Sequence, residues 1–465
     1  MIDRPPDALL DRPSEAPPCG RALLTELYDA AVAGAAPGPL TTAALRDFEC
    51  RPEQRIWLFA FGKASHAMAT AAVGALQRSL HTITAGVIVG PEALPSPYTT
   101  ITTLAGDHPL PGRNSFAAAQ RIGELAAGMR SDDVAIVLIS GGATSLIGAP
   151  LKGLAEPDLV HLYELLHESG LDIREMNAVR KRVTRWGAGR FALALAPART
   201  HTFIISDVAG DDPADIASGP CTPDASTVQQ VMALLQRAAL LPRIAPSMRE
   251  YLNGVLRGTN PETPRATHPA FAHVSSRVIG SNRLATSAAA ARAESLGLQT
   301  LLAPAAIDGD AAACGAAIAA AAVERARAGW RGCMIWGGET TVQLAPTTDA
   351  AAALASTASS SANPARGGRC QELALSASRV LAESGEDGGR VTLLAAGTDG
   401  RDGPTDAAGA FADASIWQRV RERGHDPSAA LARHDSHTVL DAAEALHRRG
   451  HTGTNVMDVV IAVVD

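Results

Sequence analysis

Ser140-Gly141-Gly142-Ala143-Thr144-Ser145 is a stretch with the chemistry of an anion cradle. Its two glycines permit a tight turn and let backbone N–H groups come close to a ligand, and its hydroxyls add donors. It directly follows Val134–Ile139, an unbroken apolar run too short for a helix and rich in valine and isoleucine. Such a run reads as a fully buried strand of a parallel sheet. Doubly wound sheets bind their ligands in the crevice beyond the carboxyl ends of the strands. Standing alone, the stretch is equally well an ordinary strand-to-helix turn.

Repetition decides between these readings. Ile56–Ser65 (IWLFAFGKAS), Thr202–Asp212 (TFIISDVAGDD), Cys333–Thr341 (CMIWGGETT) and Val391–Gly403 (VTLLAAGTDGRDG) follow the same grammar. Each is a short apolar run that ends abruptly in glycine, hydroxyl, acid or lysine. The pattern predicts one cleft rimmed by loops and holding an anionic ligand. Lys63 falls at a strand end and a helix start, where free N–H groups and the helix dipole attract anions. It is not a Walker A lysine, because Trp57 stands where that motif needs glycine. Asp207, Asp211 and Asp212 follow another strand and suit Mg²⁺ or general-base work, although acids at such places also cap loops. His108, beside Asp107 in a double-proline turn, is either an acid–base group or a turn residue. Arg180, Lys181, Arg182, Arg185 and Arg190 form the densest basic cluster, which is either a solvated helix face or a phosphate clamp. Gly187, Gly189 and Ala192 match a dinucleotide fingerprint in spacing only, since no strand precedes them.

The elements that must position these residues are those of a helix-rich α/β protein. The 465 residues suffice for two or three domains with real cores, and hydrophobic content is 46%. A net charge of −7 argues against nucleic acid as the main partner. No apolar run reaches the roughly 18–20 residues of a membrane span, and the N-terminus lacks a signal-peptide core, so the cytoplasm is the expected address. Cys19, Cys50, Cys221, Cys314, Cys333 and Cys370 are scattered without metal-like spacing and read as reduced thiols. Residues 1–20 read as a disordered tail, 21–260 as a first domain, and 273–465 as a second. The proline-marked stretch 257–272 is the expected linker, and Ala345–Pro364, rich in alanine, serine and threonine, the expected mobile loop.

Taken in order, the blocks FGKAS, GDHPLPG, SGGATSL, NAVRKR, SDVAGDDPADIASGP, IGSN, GGETT, GGRCQE, GTDGRDGPTDAAGA and TGTNVMD resemble the type-II glycerate kinases, the glycerate 2-kinase family with a C-terminal MOFRL domain. The resemblance runs from about residue 20 to the end. It implies two α/β domains, a larger Rossmann-like doubly wound N-terminal one and a smaller C-terminal one, with the site in the cleft between them. It implies phosphorylation of D-glycerate at the 2-hydroxyl by ATP and Mg²⁺, giving 2-phospho-D-glycerate. Carried over by motif, the expected catalytic residues are Lys63, Asp207 and Arg369. The nucleotide is expected at Ser140, Gly141, Gly142, Thr144, Ser145, Gly337, Gly338, Glu339 and Thr340. Glycerate is expected at Ser65, Asn282, Asp399 and Asp402, and the metal at Asp211 and Asp406. Cys370 stands where the family usually has asparagine. A homodimer is left open, and neither nucleic acid nor a membrane is an expected partner.

Phosphoryl transfer consists mostly of positioning and of neutralising charge on the moving group, and these residue types suit it. Two rivals are a hydroxypyruvate reductase, a label carried in this family, and a non-catalytic sugar-phosphate-binding regulator. A reductase of that kind needs a strand–GxGxxG–helix unit with an acid about 20 residues on, and the sequence has none.

Overall fold

The computed structural model describes residues 20–51, 53–342 and 366–465. The tail at 1–19 and the segment 345–364 lie outside the described residues. The first sheet has six strands: β1 (Ile56–Phe61), β2 (Ile83–Gly90), β3 (Ile101–Ala105), β4 (Val134–Ile139), β5 (Arg199–Ile205) and β6 (Val274–Gly280). All are parallel, in the order β3-β2-β1-β4-β5-β6. Every residue of β1 and β4 is buried, because helices cover both faces of a parallel sheet. Strand periodicity sorts their side chains. Leu58, Ala60, Ile136 and Leu138 join one core with helix Ser65–Arg78, whereas Trp57, Phe59, Phe61, Val137 and Ile139 pack on the other face with Ile122 and Phe191. The strand order reverses between β1 and β4, which places the switch-point crevice at Lys63 and Ser140.

The second sheet is mixed and largely antiparallel. Its strands are β7 (Thr300–Leu302), β8 (Gly332–Gly338), β9 (Val391–Gly397), β10 (Gly409–Asp413), β11 (Leu446–His447) and β12 (Asp458–Val464), in the order β11-β10-β9-β12-β8-β7. The chain is thus an α/β protein of two α/β units. β12 is buried throughout and runs antiparallel to both neighbours, pairing Asp458 with Gly338 of β8 and Gly397 of β9. The start of β12 therefore lies at the same edge as the ends of β8 and β9. Helices Ala311–Arg327 and Arg369–Glu383 pack so closely that a Cβ at Gly315 would overlap the Leu373 carbonyl, in line with the alanine-rich composition.

The division of the chain between the sheets differs from the expected boundaries. β6 lies past the proline-rich stretch, yet it is the edge strand of the first sheet, a place its exposed Ser275, Ser276 and Arg277 suit. Helix Arg21–Gly34, at the start of the expected first domain, packs instead on the second unit. Tyr28 donates its hydroxyl to the Gly397 carbonyl at 2.7 Å, and a Cβ at Gly34 would overlap that of Ala288 in helix Asn282–Ser295. The chain thus crosses between the units at Ala35–Pro37 and at Gly280–Asn282. A helical layer (Glu156–Glu168, Ile173–Val183, Val228–Arg237, Pro246–Leu256) has its own core beside the first sheet.

Candidate active site

The β1 and β4 turns are locked together. The Ser140 hydroxyl, almost fully buried, accepts from the Ala64 N–H at 3.0 Å, and the Lys63 N–H donates to the Gly141 carbonyl at 2.9 Å. Gly141 and Gly142 then do different work. A Cβ at Gly141 would overlap the Asp207 carboxylate, so the glycine is what lets Asp207 approach from the end of β5. Gly142 has φ 82°, and a Cβ there would stand 3.3 Å from the Lys63 Cγ and 3.2 Å from the His108 ring. Lys63 and Asp207 therefore flank adjacent glycines. Burial raises the proton affinity of Asp207, and the Lys63 ammonium opposes that rise. An acid held in this way is suited to sharing a proton with a hydroxyl.

The other half of the site is built at the matching edge of the second sheet. Arg369 opens helix Arg369–Glu383. Its Nε and Nη2 donate to Asp458 at 2.5 and 2.9 Å, and its Nη1 lies 2.6 Å from Glu339 at the end of β8. Burial works against the charge of Arg369, but Asp458 and Glu339 hold it firmly protonated. Glu339 is pushed up to about 7 by burial. Arg369 opposes that shift, and Asp458, Asp207 and Asp399 add to it. Asp207 lies close enough to Glu339 to raise its proton affinity, which links the two units electrostatically. Asp458 escaped the sequence reading. Its signal was a lone acid at the head of the apolar run Val459–Val464, but only antiparallel pairing brings that position to the cleft edge.

Several expected ligand residues have structural tasks. Ser65 donates to the Val89 carbonyl at 3.0 Å and Ser145 to the Pro109 carbonyl at 2.6 Å, while the Thr144 and Ser218 hydroxyls stand 3.2 Å apart. The Asn282 amide donates to the Val456 and Asp458 carbonyls at 2.8 and 2.9 Å, stitching the crossing at Gly280–Asn282 to β12. Gly337 gives way to Asn282 and Gly338 to Ile307, so close packing accounts for both glycines, and Thr340 is buried. Asp402 accepts from the N–H groups of Cys370 (3.2 Å) and Gln371 (2.8 Å) and from the Gln371 amide (2.9 Å). It anchors the helix that carries Arg369 and is fully occupied, with burial pushing it up to about 6. Cys370 is sealed beneath that anchor, and burial raises its thiol well above the ordinary value. Asp399 stays half-buried at the end of β9, with Oδ1 accepting from the Arg401 N–H at 2.9 Å.

The expected metal pair is not one cluster. Asp406 is held by Arg448 and His437, each at 2.8 Å, which keep its carboxyl well below the usual range. Asp211 has a left-handed backbone (φ 54°) and a buried Oδ1 with no partner among the described residues. Among those residues no group of three or more His, Cys, Asp or Glu could hold a metal ion.

The basic cluster is mostly internal. Lys181 pairs with Asp215 at 3.3 Å, and Arg182 pairs with Asp224 at 3.4 Å and with Glu262. Arg190 donates to the Lys181, Thr184 and Gly187 carbonyls, capping a helix end, and Arg185 stacks 4.6 Å from the Trp186 centroid. A phosphate clamp made of the whole cluster is thereby excluded.

Comparison with known proteins places this geometry in context. Residues 23–253 match a domain of unknown function, DUF4147, and residues 332–458 match the MOFRL family. A protein of Agrobacterium vitis, provisionally named a hydroxypyruvate reductase, is 35% identical over 443 residues, covering 94% of this chain and 93% of its own. The D-glycerate 2-kinase of Thermotoga maritima is 33% identical over 415 residues, covering 88% and 91%. The crystal structure of a glycerate kinase from the same organism superimposes with a TM-score of 0.80 at 30% identity, covering 96% of this chain and 99% of that one.

Proposed function

This chain belongs to the glycerate kinase family with a C-terminal MOFRL domain, and we propose that it transfers the terminal phosphoryl group of ATP to the 2-hydroxyl of D-glycerate. The observation that supports this reading is the placement of Lys63 and Asp207 at adjacent glycines, with Asp207 close enough to raise the proton affinity of Glu339, the ion-pair partner of Arg369. As the glycerate oxygen bonds to phosphorus and the bond to the ADP oxygen breaks, Asp207 takes the hydroxyl proton. Lys63 neutralises charge on the phosphoryl oxygens, and Arg369, fixed in orientation by Asp458, faces the same group from the other unit. Mg²⁺ commonly uses one or two protein carboxylates plus phosphate oxygens. One observation fits it: the buried Oδ1 of Asp211, which has no partner among the described residues. Asp211 would supply a carboxylate to it, and when bound it would offset phosphate charge.

The first sheet has the strand order of dinucleotide-binding proteins, which keeps the reductase reading in view. The turn after β1, however, is Gly62-Lys63-Ala64-Ser65 in place of a glycine fingerprint. Two parallel assays of the purified protein separate the readings: D-glycerate with MgATP followed for ADP, and hydroxypyruvate with NADH followed for NADH loss. ADP formation without NADH loss is expected, and ³¹P NMR of the product should show phosphate on the 2-position. NADH loss without ADP would replace the kinase with the reductase.

A further inference from the structure

Four of the five cations in the basic run are accounted for, and Arg180 is not. It is 6% exposed, and among the described residues no carboxylate lies within ion-pairing distance of it. Its guanidinium lies 4.6 Å from the Tyr163 ring centroid, Nη1 donates to Asn177 Oδ1 at 3.3 Å, and Nη2 stands 3.1 Å from His167 Nε2. Nε has no partner among the described residues. A permanent buried cation with only neutral neighbours is costly, and that cost falls when an anion arrives.

Arg180 is one end of a row of groups. His167 is exposed on helix Glu156–Glu168, and burial together with Arg180 lowers its proton affinity. His108, exposed beside Gly142, is held down to about 4 by its surroundings, by Lys63 and by His167. Lys63 is exposed and has no ion-pair partner among the described residues. The row Lys63, His108, His167, Arg180 thus carries two cationic side chains and two imidazoles whose proton affinity is lowered by burial and by these neighbours. Hydrogen bonds join it to the glycine loop: Asn177 Oδ1 accepts from the Ser218 hydroxyl at 3.4 Å, and Ser218 stands beside Thr144. Asp207 lies at the neighbouring glycine.

We propose that Arg180, with His167 and His108, forms the pocket that receives the carboxylate of the acceptor. The proposal rests on the kinase reading above and names the acceptor's binding group. A guanidinium fork matches a carboxylate, and a ring N–H of His108 or the Nδ1 side of His167 can add a donor. Asp207 and His108 stand at the adjoining glycines Gly141 and Gly142, so a carboxylate on the His108 side lies next to the group that takes the hydroxyl proton.

The test is Arg180→Met, read by kinetics and by melting. The Michaelis constant for D-glycerate should rise at least about tenfold while that for ATP stays within about twofold. D-glycerate alone should raise the melting temperature of the native protein but not of the variant, whereas MgATP should raise both. Should Arg180→Met fail to fold, His167→Glu, at an exposed position, supplies Arg180 with a tethered carboxylate and should weaken glycerate binding in the same selective way. A folded Arg180→Met protein with an unchanged glycerate constant, or one in which the ATP constant rises instead, overturns the proposal. A native protein that forms no ADP would sink the kinase reading. The carboxylate pocket would then be judged by the melting shifts, and a D-glycerate shift that survives Arg180→Met would sink it too.

Discussion

Lys63 stands at the cleft on the exposed side of a strand end, so its removal should leave the core intact. Lys63→Ala should keep the melting temperature and lose roughly 10²–10³ in kcat, with a smaller change in the glycerate constant. Near-native turnover in the folded variant would return Lys63 to an ordinary surface lysine. Glu339 gives a pH signature of the same cleft. Its folded proton affinity is raised to about 7 from an ordinary value near 4.5, so the folded state binds the proton more tightly than the unfolded chain. Stability from this group is therefore present below about pH 4.5, declines as pH rises toward 7, and is level above. Glu339→Gln should remove that decline, and melting curves of both proteins from pH 4.5 to 8 would show it. Parallel curves would mean that burial and the neighbouring acids do not act on Glu339 as described. Lys63 and Asp207 were legible in the sequence because each ends an apolar run in the chemistry of its own turn. Arg369 entered only through resemblance, and its partner Asp458 not at all, because antiparallel pairing is decided by strands far apart in the chain.

Strand ends and turns carry information that local sequence displays, while pairing within helices does not. The helix Ile173–Val183 carries consecutive cations that look alike on paper. Packing makes Lys181 and Arg182 internal, because Asp215, Asp224 and Glu262 come from distant loops to meet them. Arg182→Met should leave Asp224 buried without its partner and cost about 3–5 kcal/mol. A lower denaturation midpoint with an unchanged ratio of the two Michaelis constants is the expected readout, and a selective loss of ATP affinity would revive the phosphate clamp. The glycine loop behaves in the opposite manner. Gly141→Ala adds one methyl group where Asp207 must sit, so turnover should collapse with a modest change in melting temperature. Wild-type turnover in that variant would show that Asp207 need not approach the loop.

The expected boundary near 257–272 misplaced the joint because proline marks an irregular chain and not the point where one sheet hands over to another. The handover is at Gly280–Asn282, directly after β6, and a second crossing at Ala35–Pro37 runs beside it. A Cβ at Gly280 would stand 3.0 Å from Leu40, just beyond the other crossing, and Thr454 donates to the Ala35 carbonyl at 2.8 Å. Two adjacent crossings act as a hinge with one axis. They also set its limit, because a single apolar core runs from Leu58 and Ile205 of the first sheet to Ile335 and Val460 of the second. Wide opening would expose that core, so any closure about this joint should be a small rotation. With the acceptor in the proposed pocket of the first unit, and the phosphates reached by Lys63 and Arg369 as proposed, such closure should need both substrates. Solution scattering should therefore show a small contraction with D-glycerate and a non-hydrolysable MgATP analogue together, and less with either alone. Superimposable curves at saturation would mean that the cleft is already closed in the free protein.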